Sequence, residues 1–107
     1  MSSLFEYVGN LHMHTPYSDG ELYHEDIAQA ALAAGLDFIV VTDHNVRVRG
    51  PEGYHVAANG RRVLVLIGEE VHDVTRPSQS NHMLVLGVQE GLAPLATDPQ
   101  GLINAIA

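Results

Sequence analysis

Three short, uninterrupted apolar runs set the limits on what this chain can fold into. Phe38-Ile39-Val40-Val41, Val63-Leu64-Val65-Leu66-Ile67 and Met83-Leu84-Val85-Leu86 are rich in β-branched residues and bounded by polar or turn-forming ones. Runs of this length without polar alternation read as strands covered on both faces, the mark of parallel sheets. Phe5 to Met13 reads as an earlier strand. Between it and the next strand, Glu25 to Ala34 places Ile27, Ala30, Ala31 and Ala34 on one helical face. Glu25 and Asp26 stand in its first turn and Gly35 just past its end, so both helix ends are marked. Residues 51–60 fit a second, weaker helix, and Arg76 to Ser80 reads as a loop. The order β-α-β-(α)-β-loop-β predicts an α/β fold of parallel β/α units with right-handed crossovers. No repeat, low-complexity tract or linker divides the chain, so residues 1–107 read as a single domain. At the C-terminal end, Asp98-Pro99 makes an N-cap and N1 pair ahead of Leu102, Ile103 and Ile106 on one face. Neither a glycine nor a basic last turn closes this helix, and the domain is expected to be incomplete at its C-terminus.

Composition narrows the chemistry. Thirteen acids against five arginines and no lysine give a formal net charge of −8. That balance excludes a nonspecific nucleic-acid coat or an anionic membrane surface as partner and leaves nucleic acid possible only as a substrate. The start, MSSLFEYVGN, has neither a basic nor an apolar leader region, and the apolar run Val63 to Ile67 falls far short of a membrane span, so a cytoplasmic location is expected. Cysteine is absent, so a transition-metal site would have to be built from His, Asp and Glu. The seven histidines, at 12, 14, 24, 44, 55, 72 and 82, are the one compositional excess.

Their placement carries the argument. His12 and His14 close the first strand and, with a side-chain period of two, project to one face. Ser18-Asp19-Gly20 ends a polar turn that could carry Asp19 back over the same strand end, although an Asp there also fits a simple Asx turn. His44 follows the second apolar run through Thr42-Asp43, and Glu69-Glu70 follows the third. C-terminal strand ends are where open α/β sheets and barrels collect ligands, so these groups converge if the strands are parallel neighbours. His82 differs, standing just before the fourth run behind Asn81. Asp43 reads as an outer support that orients an imidazole through its ring N–H. Arg47 and Arg49 could grip a phosphate bidentately or simply lie in a solvated loop. His24, His55 and His72 read as solvated bystanders.

The segment LHMHTPYSDGELYHEDIAQAALAAGLDFIVVTDHN resembles the opening of the PHP (polymerase and histidinol phosphatase) superfamily, with its H-x-H-[ST]-x-x-S-D-G and T-D-H motifs. LIGEEV is similar to that family's G-x-E segment, and NHMLVLG to a later strand; the GEEV wording and Asn81 lean toward bacterial PHP-type metallohydrolases. The resemblance implies a distorted (β/α)7 barrel, of which this chain is the N-terminal part, with two or three divalent ions (Zn, Mn or Fe) at the strand ends. It implies His12 and His14 as ligands of a first ion, Glu70 as a bridge to a second, His82 on the second, and Asp19 and His44 on a third. Glu69 falls outside the ligand set. The family's remaining ligands, a further His and a late Asp-x-His pair, have no counterpart here. A (β/α)8 barrel takes about 250 residues, and half of such a structure leaves open sheet edges and an uncovered apolar face. If the chain is complete as given, a homo-oligomer is expected. The implied activity is hydrolysis of a phosphate ester, from a small phosphorylated substrate or a nucleotide, by water whose pKa clustered cations lower from about 15.7 toward about 7. The alternative is a metal-binding, oligomeric or vestigial module without turnover.

Overall fold

A computed structural model describes residues 3–76 and 82–107. In chain order the elements are β1 (Gly9–Asn10), α1 (His24–Ala33), β2 (Phe38–His44), β3 (Gly53–Val56), β4 (Arg62–Val71), β5 (Met83–Val85), a 3-10 turn (Ala93–Leu95) and α2 (Pro99–Ile106). They form a mixed α/β fold on one sheet of order β1-β2-β4-β3, in which β5 also pairs with β4. β1, β2 and β4 run parallel, with Phe38 opposite Leu64 and the register continuing to His44 opposite Glu70.

Helix α1 forms where the spacing predicts, and Gly35 ends it at φ +79°, with the Leu36 N–H donating back to the Ala31 carbonyl. Its Ala28 and Ala31 let the helix pack closely on Ile39, Val41, Val63, Val65 and Ile67, all on one face of β2 and β4. A second cluster, Val71, Val85, Leu92 and Leu102, seats α2 on the same side. Asp98 caps α2 by accepting from the Gly101 N–H at 3.0 Å, as the Asp-Pro pair predicts.

Three sequence expectations change. Residues 51–60 are not a helix: β3 pairs antiparallel with the start of β4 through a turn at Asn59-Gly60, where Gly60 takes φ +85°. Asn-Gly between alternating residues is a hairpin signal stronger than the weak helical pattern. Arg62 lies 4.0 Å over the Tyr54 ring across this hairpin. Second, β5 runs antiparallel to β4, because the connection 72–82 is shorter than the dozen or more residues a parallel crossover takes. Third, the strand expected over Phe5 to Met13 shrinks to Gly9–Asn10; Leu4 and Phe5 are 97% and 79% exposed and have no apolar surface to cover. The loop expected over Arg76 to Ser80 lies outside the described residues except for Arg76, and Asn81 lies outside them too.

The opposite face of the sheet carries Leu66, Leu84 and Leu86 with substantial exposure, and Leu11 nearby is also exposed. The molecule is accordingly a slab, 46 × 41 × 23 Å, with a radius of gyration of 15.4 Å. A compact domain of this length would have about 13 Å.

Candidate metal centre

The site is assembled by register. His44 and Glu70 are direct partners on β2 and β4, on the face away from α1, while their neighbours Asp43 and Glu69 are partners on the helix side. Beyond β1 the chain continues alongside β2: the Met13 carbonyl accepts from the Thr42 N–H at 2.8 Å, and the Met13 side chain packs into the α1 core. Alternation about Met13 then turns His12 and His14 to the other face, toward His44 and Glu70.

Glu70, almost fully buried, is the hub. His12 Nε2 lies 2.9 Å from its Oε2, His14 Nε2 and His44 Nε2 each lie 3.1 Å from its Oε1, and His82 Nδ1 lies 3.8 Å from its Oε2. Asp19 joins from the loop, 2.5 Å from His14 Nδ1 and 3.3 Å from His44 Nε2. Gly20 makes this possible, since a Cβ there would strike the backbone of His14 and Thr15. Burial holds the His44 pKa below the usual imidazole value, with Glu70 and Asp19 opposing. Partial desolvation would raise the Asp19 carboxyl, but the hydrogen bond from His14 and the field of His44 outweigh it and keep the pKa low. At neutral pH the pair therefore presents an imidazole lone pair and a carboxylate, the protonation states a cation requires.

The donors fit divalent ions. Three overlapping groups, His12-His14-Glu70, His14-Asp19-His44 and His44-Glu70-His82, each have ligand atoms within 4.8 Å of one another. Tetrahedral ligands about 2.0–2.2 Å from one ion stand about 3.3–3.6 Å apart; the His–carboxylate spacings of 2.9–3.3 Å around Glu70 and between His44 and Asp19 are slightly shorter, so a small outward shift of these side chains would admit an ion. His14 Nε2 is buried and, among the described residues, without a hydrogen-bond partner despite its proximity to Glu70. A donor set of imidazole and carboxylate suits Zn, Mn or Fe.

All six residues singled out as ligands from the sequence thus come together. The supporting residues behave differently. Asp43 orients no imidazole; its carboxylate accepts from Thr15 N–H (2.7 Å), Thr15 Oγ1 (2.8 Å) and Ser18 Oγ (2.6 Å), fixing the loop that carries Asp19. Facing the helix side, it cannot reach the ring of its neighbour His44. Glu69 stays away from the ligands and accepts from the Leu92 N–H at 2.7 Å. Arg47 and Arg49 donate to the carbonyls of Val88 and Gln89, at 2.8 and 2.9 Å, and so fasten the loop after β5. Of the presumed bystanders, His24 is buried at 5% exposure and His55 Nε2 donates to the Pro51 carbonyl at 3.1 Å. His72 is the residue sequence reasoning missed: its Nδ1 lies 3.2 Å from His44 Nδ1 and its ring packs on His82. The signal was available, because residues two apart on a strand share a face and His72 stands two beyond Glu70.

An α/β sheet with a cluster of histidines and carboxylates at the C-terminal ends of its parallel strands defines a protein with a candidate multi-ligand metal centre. The profile of the PHP domain family matches residues 10–104, and the chain belongs to that family. Membership places it in a superfamily of metal-dependent phosphoesterases whose domains bind divalent metals. No curated protein and no solved structure matches the chain. Among the described residues no helix is long and apolar enough to cross a membrane.

Proposed function

We propose that the protein is a metal-dependent hydrolase of phosphate esters, acting on a small phosphorylated compound or nucleotide. The observation that carries this reading is the convergence of four histidines on the buried Glu70 carboxylate, with Asp19 alongside. In this reading His12, His14 and Glu70 hold one ion, Glu70 and His82 a second with His44 beside them, and Asp19 with His44 a third, His14 supporting Asp19 through the proton on its Nδ1. Divalent ions held there supply Lewis acidity toward a phosphoryl oxygen and a water that is nucleophilic at neutral pH.

The chain's own part is binding and access. Buried Glu70 fixes the centre, while His12 and Asp19, with side chains 51% and 62% exposed, leave one side open to a phosphate group. Without cations the carboxylates would repel that group, so ions and substrate are expected to bind in order. The exposed face carrying Leu66, Leu84 and Leu86 supports the further reading that these elements are the N-terminal part of a (β/α)7 barrel.

The test is hydrolysis of p-nitrophenyl phosphate and bis-p-nitrophenyl phosphate by the chain loaded with Mn or Zn, beside Glu70→Ala and His14→Ala. Activity that needs metal and disappears in both variants supports the proposal; undiminished activity in either refutes it. The alternative outcome is metal binding without turnover. Ions bound in stoichiometric amount with no hydrolysis of either ester would favour it.

A further inference from the structure

His72 is held in place more firmly than a solvated side chain requires. The Asn45 side chain grips both of its backbone polar groups, Oδ1 accepting from the His72 N–H at 3.0 Å and Nδ2 donating to the His72 carbonyl at 2.9 Å. The Asn45 backbone N–H also donates to the Glu70 carbonyl at 3.1 Å. Asn45 takes φ +52° to do this, a conformation that asparagine tolerates better than most residues. The brace delivers the His72 ring to a defined position, edge-on to His44 with centroids 4.8 Å apart and tilted against His82 at 4.5 Å.

The contact with His44 is specific in its chemistry. His44 turns Nε2 toward Glu70 Oε1 and Asp19 Oδ2, at 3.1 and 3.3 Å, and turns Nδ1 toward His72 Nδ1 at 3.2 Å. A neutral imidazole that offers the Nε2 lone pair to a cation keeps its one proton on Nδ1. That proton then points at His72 Nδ1, which must present a lone pair and carry its own proton on Nε2. His72 belongs to none of the three groups whose donor atoms lie within ligand reach of one another. It stands behind a ligand and not among the ligands.

We infer that His72 is a positioning residue for the metal centre: it accepts the Nδ1 proton of His44, so fixing the tautomer and ring orientation that aim His44 Nε2 between Glu70 and Asp19. Partners of this kind behind metal-bound histidines are usually carboxylates, backbone carbonyls or water. Here an imidazole takes the place, and Asn45 ties it to the end of β2, the strand that bears His44. The same ring, packed against His82, also limits where that side chain can swing. The inference rests on the reading of the centre as metal-binding, and the experiment separates the two.

The full chain is labelled with 15N-histidine and loaded with Zn, and imidazole nitrogen shifts are assigned. Zn binding to the wild type is followed by equilibrium dialysis beside His72→Ala, His72→Phe and His72→Gln. The expected spectrum has His44 protonated at Nδ1 and metallated at Nε2, and His72 protonated at Nε2 with an unprotonated, hydrogen-bonded Nδ1. His72→Ala and His72→Phe should weaken one Zn site by about 10–100-fold. His72→Gln, whose amide oxygen can accept from His44, should recover most of that loss, which phenylalanine, filling the space without an acceptor, should not. A wild-type spectrum with His72 protonated at Nδ1, or with either His72 nitrogen metallated, overturns the inference even if every variant fails to fold. Equal Zn affinity in wild type and His72→Ala also overturns it while leaving the metal centre intact. A wild type that binds no Zn, Mn or Fe removes the centre itself, and this inference with it.

Discussion

Asp43→Ala is the substitution whose cost the structure defines most directly. Asp43 is 1% exposed, and its two oxygens accept three hydrogen bonds from Thr15 and Ser18. Thr15 is fully buried, so its N–H and hydroxyl would lose their acceptor where water does not reach; Ser18 is part-buried and can turn toward solvent. Hydrogen bonds to a charged group contribute about 1.5–3 kcal/mol each, which puts the two buried ones at about 3–6 kcal/mol. Removing the buried carboxylate relieves its own desolvation, so the expected loss lies at the lower end, about 3–4 kcal/mol. Against a domain stability of about 5–15 kcal/mol this is a large fraction.

Asp43→Asn provides the control. Its amide oxygen, standing for Oδ1, can still accept from the Thr15 N–H and Ser18 Oγ. Its NH2 would face Thr15 Oγ1, which already accepts from the Tyr17 N–H at 3.1 Å and has a second lone pair to offer. All three contacts survive with one donor role reversed, and the cost should be only about 1–2 kcal/mol. Urea unfolding followed by circular dichroism, with a chelator present to exclude stabilisation by bound metal, measures both variants. Two results would refute the reasoning: Asp43→Ala within about 1 kcal/mol of wild type, or Asp43→Asn as damaging as the alanine variant. The latter would mean that charge, and not acceptor geometry, holds the loop.

Gly20→Ala forces a Cβ against the backbone of His14 and Thr15, which cannot yield as a side-chain tip would. We expect about 1–3 kcal/mol of destabilisation together with weaker metal binding through a displaced Asp19, both readable by urea unfolding and equilibrium dialysis. Burial holds the His24 pKa below its usual value, with the field of Asp43 opposing. As pH falls below about 6.5 the unfolded chain therefore takes up this proton before the folded one, and stability is lost toward the folded-state pKa. The stability difference between wild type and His24→Gln should accordingly narrow from pH 8 to pH 5 in chelator, and a pH-independent difference would contradict the assignment. Adding Zn or Mn to chelator-stripped protein should raise stability by about 2.7 kcal/mol for a site at 100 times its Kd; no change in the melting temperature at saturating metal would count against the centre.

How much of this was legible depended on whether the deciding physics was local. Helix α1 was readable because its alanine face, acidic first turn and Gly35 lie within a dozen residues of one another, and β2 and β4 because they are continuous apolar runs. The hairpin at Asn59-Gly60 was equally local but was outweighed by a weak helical pattern. The direction of β5 depended on the reach of the connection 72–82. Strand-end placement pointed to His12, His14, His44 and the Glu69-Glu70 pair, and the family resemblance added Asp19 and His82 and singled out Glu70, whereas the partner of Asp43 could not be named, since Thr15 is 28 residues away. Parity could still have excluded an imidazole partner on its own strand: adjacent strand residues face opposite sides, so Asp43 never faces with His44.

The same parity divides the labour of the site. Each of the two central strands ends in a polar pair, Asp43-His44 on β2 and Glu69-Glu70 on β4, and the register sets the first members opposite each other and the second members opposite each other. The first members turn toward the helices, where each is buried and accepts from a loop N–H, Asp43 from Thr15 and Glu69 from Leu92. The loop on Asp43 delivers Asp19; the one on Glu69 is fastened again by Arg47 and Arg49 from beyond β2. The second members turn to the other face and meet His12, His14, His72 and His82. One residue of slip between β2 and β4 would exchange these faces, driving Glu70 toward the core and Glu69 into the centre while Val63, Val65 and Ile67 lost their contact with α1. The packing of α1 against those three side chains therefore sets the registration of the centre, although none of them lies near a ligand.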